Sequence, residues 1–214
     1  MKRSGRTRRL RLASKSKKKC GVSNHSETAD LFQHSMMTKP SIFTIGHSTR
    51  SIEEFIELLR AHDVGVLVDI RTIPKSRHNP QFNQEELKQS LRQKRLRYVH
   101  IAALGGLRHA KKDSPNVGWR NTSFRGFADY MATAEFRHGL EALMEIAELK
   151  TTAIMCAEAV PWRCHRSLIA DALVKGGWVV QDIMTTTSAP RHRLTPFLKM
   201  KHGQLTYPEP APTK

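Results

Sequence analysis

Short apolar runs at residues 41–45, 64–68, 98–101 and 153–155 recur along the chain, each followed by a segment with helical spacing. Ser41-Ile42-Phe43-Thr44-Ile45 and Val64-Gly65-Val66-Leu67-Val68 show little polar alternation, as expected of strands covered on both faces. Between them, Ser51 and Glu54 have the spacing of a capping box, and Ile52, Phe55, Ile56 and Leu59 fall on one helical face. Asn83 with Glu86 predicts a second helix start, carrying Leu87 and Leu91 towards Leu96. Residues 107–123, with Lys, Asp, Asn, Pro and Gly, predict a long loop. Residues 124–150 read mostly as helix, with Leu140, Leu143, Met144 and Ala147 on one face. A further helix opens at 168–173, and a last strand follows at 178–180. This alternation predicts an α/β fold: a single domain with a mostly parallel sheet and helices on both faces.

The 214 residues suffice for one ordinary domain with tails. The formal net charge is +17, of which residues 1–36 carry +8, leaving +9 on the remainder. Residues 1–36 hold too little apolar surface to form a core and are expected to be a disordered basic extension. The domain is then expected over 37–205, with a flexible Pro-containing tail over 206–214. A basic extension of this kind can hold nucleic acid or an anionic membrane through counterion release, or simply be a solvated arm. Met36 and Met37 also stand where an alternative translation start would precede the patterned region. No apolar h-region marks a secretory signal, and no run of 18 apolar residues spans a membrane. The three cysteines, Cys20, Cys156 and Cys164, lack disulfide-framework spacing, so reduced thiols in a cytoplasmic protein are expected.

In a parallel sheet all strand C-termini share one edge, where such folds place their chemistry. The first strand brings Gly46, His47 and Ser48 to that edge. The second brings Asp69 and Arg71, and Gly105 and Gly106 follow the third. The fourth brings Cys156 and Glu158, then Cys164, His165 and Arg166 at the start of the next helix. Each has a plainer reading: His47 as a cap, Asp69–Arg71 as a structural pair, the glycines as turn formers, Cys156 as a small buried apolar residue. The convergence of four distant segments favours a shared cleft, with Cys156, Glu158, Cys164 and His165 as the catalytic candidates. His47, Ser48, Asp69, Arg71, Gly105, Gly106 and Arg166 are then the substrate-binding candidates.

Two chemistries suit this set. A thiol near a helix N-terminus and Arg has a lowered pKa, and Arg163 and Arg166 can hold an anion beside it. Alternatively, Cys156, Glu158, Cys164 and His165, joined by His47 and Asp69, supply ligands for zinc or iron. The Cys156–Arg163 spacing is longer than in a phosphatase-type loop and lacks its glycine, and no zinc-ribbon spacing is present.

Taken in order, Phe43-Thr44-Ile45-Gly46-His47-Ser48, Val68-Asp69-Ile70-Arg71 with Pro74, Leu104-Gly105-Gly106, and Met155-Cys156-Ala157-Glu158 with Cys164-His165-Arg166 resemble the DUF488 family over roughly residues 41–183. That resemblance implies a compact single-domain α/β protein and, since the family's function is unknown, a fold more readily than a reaction. A weaker likeness links Asp69-Ile70-Arg71 and the cysteine loop to rhodanese-type domains. The expectation is an enzyme acting on an anionic substrate, related to nucleotides or nucleic acid. The alternatives are a non-catalytic basic nucleic-acid-binding module and a metal-binding protein using the same cluster.

Overall fold

The structure is a computed structural model and describes residues 40–201 and 203–210. The expected basic extension over 1–36 lies outside these residues, as does the end of the tail at 211–214. The described residues belong to one compact unit.

Strands β1 (Ser41–Gly46), β2 (Val66–Asp69), β3 (Arg97–His100), β4 (Thr152–Cys156) and β5 (Val179–Asp182) form one sheet in the order β3-β2-β4-β1-β5. Every pairing in it is parallel. Helix α1 (Ile52–Ala61) links β1 to β2, and α2 (Gln84–Gln93) links β2 to β3. Helices α3 (Thr122–Tyr130) and α4 (Ala134–Leu149) precede β4, and α5 (Arg166–Lys175) links it to β5. The chain moves one way across the sheet through α1 and α2, and back through α3, α4 and α5. Right-handed crossovers therefore place the two sets on opposite faces.

The core confirms this division. Ile45, Leu67, Ala153 and Met155 meet Phe55 and Leu59 of α1 and Leu87 and Leu91 of α2. Ile42, Val68, Ile154 and Cys156 meet Phe127 of α3, Leu143 of α4 and Leu168 and Leu173 of α5. Along β4 the two faces alternate residue by residue, as the pleat requires. Each fully buried aliphatic or aromatic side chain contributes about 1.5–3 kcal/mol relative to exposure.

Several local expectations change. The Ser51 hydroxyl accepts from the Glu54 amide at 3.1 Å, so that cap forms. Asn83 precedes α2 but does not cap it, because its side-chain oxygen accepts from the Ser76 amide at 2.8 Å. The stretch expected as one helix over 124–150 is two, since the Thr133 hydroxyl caps a new start by accepting from the Phe136 amide at 3.3 Å. Residues 107–123 are held in place by buried Asp129, which accepts from the Lys111 amide, the Ser114 hydroxyl and the Asn116 amide group.

The tail expected to be loose from 206 begins with an anchored segment. Lys199–Lys201 (β6) and Gln204–Thr206 (β7) pair antiparallel. Tyr207 is wholly buried; its hydroxyl donates to Asp171 at 3.1 Å and its amide to Asn116 at 2.8 Å. The ordered part of the domain therefore extends past residue 205.

Candidate functional site

The register aligns the strand ends. Gly46 lies opposite Cys156, and Asp69 lies opposite both Met155 and His100. The loops leaving β1 and β4 then run on together: the His47 amide donates to the Cys156 carbonyl at 3.0 Å and the Ser48 amide to the Ala157 carbonyl at 2.8 Å. A Cβ on Gly46 would lie 1.7 Å from the Glu158 carbonyl oxygen, so only glycine lets the β4 loop fold back at this point. Ser48 adopts a left-handed backbone conformation, φ 49°.

Beside β2, Asp69 and Arg71 form a buried ion pair at 2.6 Å. Asp69 also accepts from the Arg71 amide at 3.0 Å and the Tyr98 hydroxyl at 2.9 Å. The Arg71 guanidinium donates to the Phe82 carbonyl at 2.7 Å and reaches His47 Nε2 at 3.5 Å. His47 stacks on Phe82, with ring centroids 4.3 Å apart, and its Nδ1 donates to the Ser48 carbonyl at 2.8 Å. Burial keeps the His47 pKa below its ordinary value. Burial and the Asp69 charge together push the Tyr98 hydroxyl pKa upward. His100 closes the network by meeting the Arg71 carbonyl at 2.8 Å.

At the end of β4 the arrangement is different. Cys164 follows the Pro161–Arg163 3-10 turn, and His165 stands at the N-cap position of α5. His165 Nδ1 lies 3.8 Å from Cys156 Sγ and 3.6 Å from Cys164 Sγ. All three atoms fall within 4.8 Å of one another. The other ring nitrogen, Nε2, faces the Ile70 carbonyl at 3.3 Å. The ring packs edge-on against Phe127 at 5.0 Å, and a Cβ on Gly106 would meet its Nδ1 at 2.5 Å. Both cysteines are free thiols and buried. A hydrogen bond from Cys164 lowers the Cys156 pKa against the cost of burial, with help from His165 and Arg166, while Cys164 is raised.

The structure brings together Cys156, Cys164 and His165 and separates the other candidate ligands from them. Asp69 is committed to Arg71 and Tyr98, His47 to Ser48 and Arg71, and neither joins the ligand cluster among the described residues. Glu158 is exposed, and its carboxylate has no hydrogen-bond partner among the described residues. Of the substrate-binding candidates, Arg71 is engaged by Asp69 and the Phe82 carbonyl, and Arg166 by the loop backbone. Buried Arg166 donates to the Glu158 and Ala159 carbonyls, holding the loop against α5, and only its Nε lacks a partner. Gly105 and Gly106 approach Thr72 and His165 closely, so their smallness serves packing around the cluster.

Sequence reasoning missed Tyr98, Phe82, His100 and the Ile70 carbonyl. Tyr98 and His100 are visible in the sequence only as strand residues, and a backbone carbonyl leaves no residue-type signal at all.

A family model described as "Domain of unknown function DUF488" matches residues 51–173, more than half of the chain. The chain belongs to the DUF488 family. The match includes Asp69, Arg71 and the whole Cys156–Arg166 loop, whereas His47 and Ser48 lie just before it and are tied to it by β1–β4 pairing. No curated protein and no solved structure matches the chain. Among the described residues no helix is long and apolar enough to cross a membrane.

Proposed function

We propose that this DUF488 protein is an enzyme built on a Cys156–Cys164–His165 centre that holds a metal of the zinc class and acts on an anionic substrate. One observation carries the reading: two thiol sulfurs and one imidazole nitrogen converge with 3.6 and 3.8 Å separations. Zinc bonds of about 2.3 Å to sulfur and 2.0–2.1 Å to nitrogen place tetrahedral ligand atoms about 3.6–3.8 Å apart. The Ile70 carbonyl supports the same role, because metal-bound histidines commonly donate their other N–H to a carbonyl or carboxylate. Three protein ligands leave one position open, as catalytic zinc sites do. Bound there, the metal supplies Lewis acidity and lowers the pKa of water.

The chain's own residues divide the remaining work. His165 is oriented by Ile70 and wedged between Gly106 and Phe127. Glu158, two residues beyond Cys156 and unpaired, is the candidate proton carrier, a role glutamate plays beside His/Cys/Cys zinc centres. Arg163 is solvent-exposed on the same loop and, with the basic balance of the chain, favours an anion. Free thiols fit a reducing cytoplasm.

A second reading rests on the Cys156 sulfur lying 3.8 Å from His165 Nδ1, a thiol–imidazole pair in which Cys156 would act directly as a nucleophile with His165 as its proton partner. Elemental analysis of protein purified without added metal separates the two. The metal reading expects about one equivalent of zinc, lost in both Cys164→Ser and His165→Ala. Metal-free protein whose Cys156 alkylates rapidly at neutral pH would overturn it and favour the nucleophile.

A further inference from the structure

A cavity of about 610 Å³ opens between the Pro161–Arg163 turn, the start of α5 and residues 190–197. Neither cysteine nor His165 lines it. Its volume falls in the range that encloses a small organic ligand.

The walls are aromatic. Trp119 and Phe197 line the cavity and pack edge to face at 5.1 Å. Trp162, also in the lining, is 65% exposed, so its indole is open to a ligand in the cavity. The Trp119 indole Nε1 is buried and has no hydrogen-bond partner.

The rim is cationic. Arg191 and Arg193 line the cavity, are exposed, and have no ion-pair partner among the described residues. The lining's carboxylate, Asp182, does not cancel them: it accepts from the Thr44 hydroxyl at 2.6 Å and faces His192 Nδ1 at 3.5 Å. The rim is also fixed in place. Arg191 bridges Gln181 antiparallel beside β5, and the His192 amide donates to the Val180 carbonyl at 2.8 Å.

We propose that this cavity is a binding site for a nucleobase together with its phosphate, the base stacking on Trp162 and the phosphate meeting Arg191 and Arg193. Aromatic side chains stack any base through its π-face, and arginine forks match phosphate oxygens. A purely apolar ligand would leave both arginines unmatched, and a bare phosphate would leave the aromatic wall uncovered. This site does not depend on the metal centre.

The full chain is titrated with AMP, GMP, CMP and UMP, with ribose 5-phosphate, and with a single-stranded RNA octamer, following tryptophan fluorescence and heat of binding. The mononucleotides are expected to quench fluorescence and to bind at least about tenfold tighter than ribose 5-phosphate. Trp162→Ala should weaken nucleotide binding about tenfold and leave ribose 5-phosphate unchanged. Joint replacement of Arg191 and Arg193 by Ala should weaken both. All three side chains are exposed, so the variants should keep wild-type melting curves. Octamer binding that also falls with Trp162→Ala identifies a nucleic-acid strand as a source; response of the mononucleotides alone identifies free nucleotide. Absence of binding at millimolar concentration, or binding of nucleotide and octamer alike that ignores Trp162→Ala, overturns the proposal. Neither result bears on zinc content or on Cys156 alkylation, so this site and the metal centre fail separately.

Discussion

At the end of β2, Asp69, Arg71, Tyr98, Phe82 and His47 hold one another in a buried network whose charges are paired and whose donors have acceptors. The neighbouring strand, β4, ends in two thiols and an imidazole that face each other. The contrast separates support from reactivity. A closed network rigidifies the edge, while a cluster of soft donors with free coordinating capacity suits a metal or an incoming electrophile. The β2 network also serves the β4 cluster directly, since the chain between Asp69 and Arg71 supplies the Ile70 carbonyl that orients His165.

The largest expected effect tests that division. Asp69→Asn leaves Arg71 buried without its counter-charge and should cost about 3–5 kcal/mol of stability. With chelator present, Cys164→Ser should cost only about 1 kcal/mol. Denaturant unfolding of both variants measures the difference, and equal losses would mean that the cluster is structural too. Next comes Tyr98→Phe, which removes one donor from Asp69 and should cost about 0.5–1.5 kcal/mol in the same experiment, with metal content unchanged. A loss of metal there would show that the two regions are not separable.

A pH dependence is expected at a third charged cluster. Burial disfavours a charged His192, but Asp171 and Asp182 outweigh it and raise its pKa from 6.5 to about 9. The folded value lies above the unfolded one, so this contribution is fully present below about pH 6.5 and is lost as pH rises through about 9. Thermal melts across that window should fall in the wild type and flatten in His192→Gln.

The parallel sheet was legible because β1, β2 and β4 are apolar on both faces and end in polar residues. That pattern also located Asp69, Cys156 and His165 correctly on one edge. Sequence could not show which polar groups would be consumed by neighbours. Arg166 reads as an anion clamp beside a helix N-terminus, yet its guanidinium is taken by the Glu158 and Ala159 carbonyls. Asn83 reads as a cap, but Ser76 claims its oxygen. The tail reads as loose because its prolines and polar residues are local signals. Its anchor, Tyr207, depends on Asp171 and Asn116, which only the fold brings near.

Strand order has a consequence for how the protein is made. β4 is the middle strand of the sheet and lies between β2 and β1, yet the ribosome delivers it after both of them and after α4. Until it arrives, β1 and β2 each present an unpaired edge, with no strand to join them. Such non-local pairing is slow to form and leaves edges open to other chains. The strand that joins β1 to β2 is also the one that carries Cys156, so assembly of the reactive cluster follows directly on the joining of the two parts of the nascent sheet.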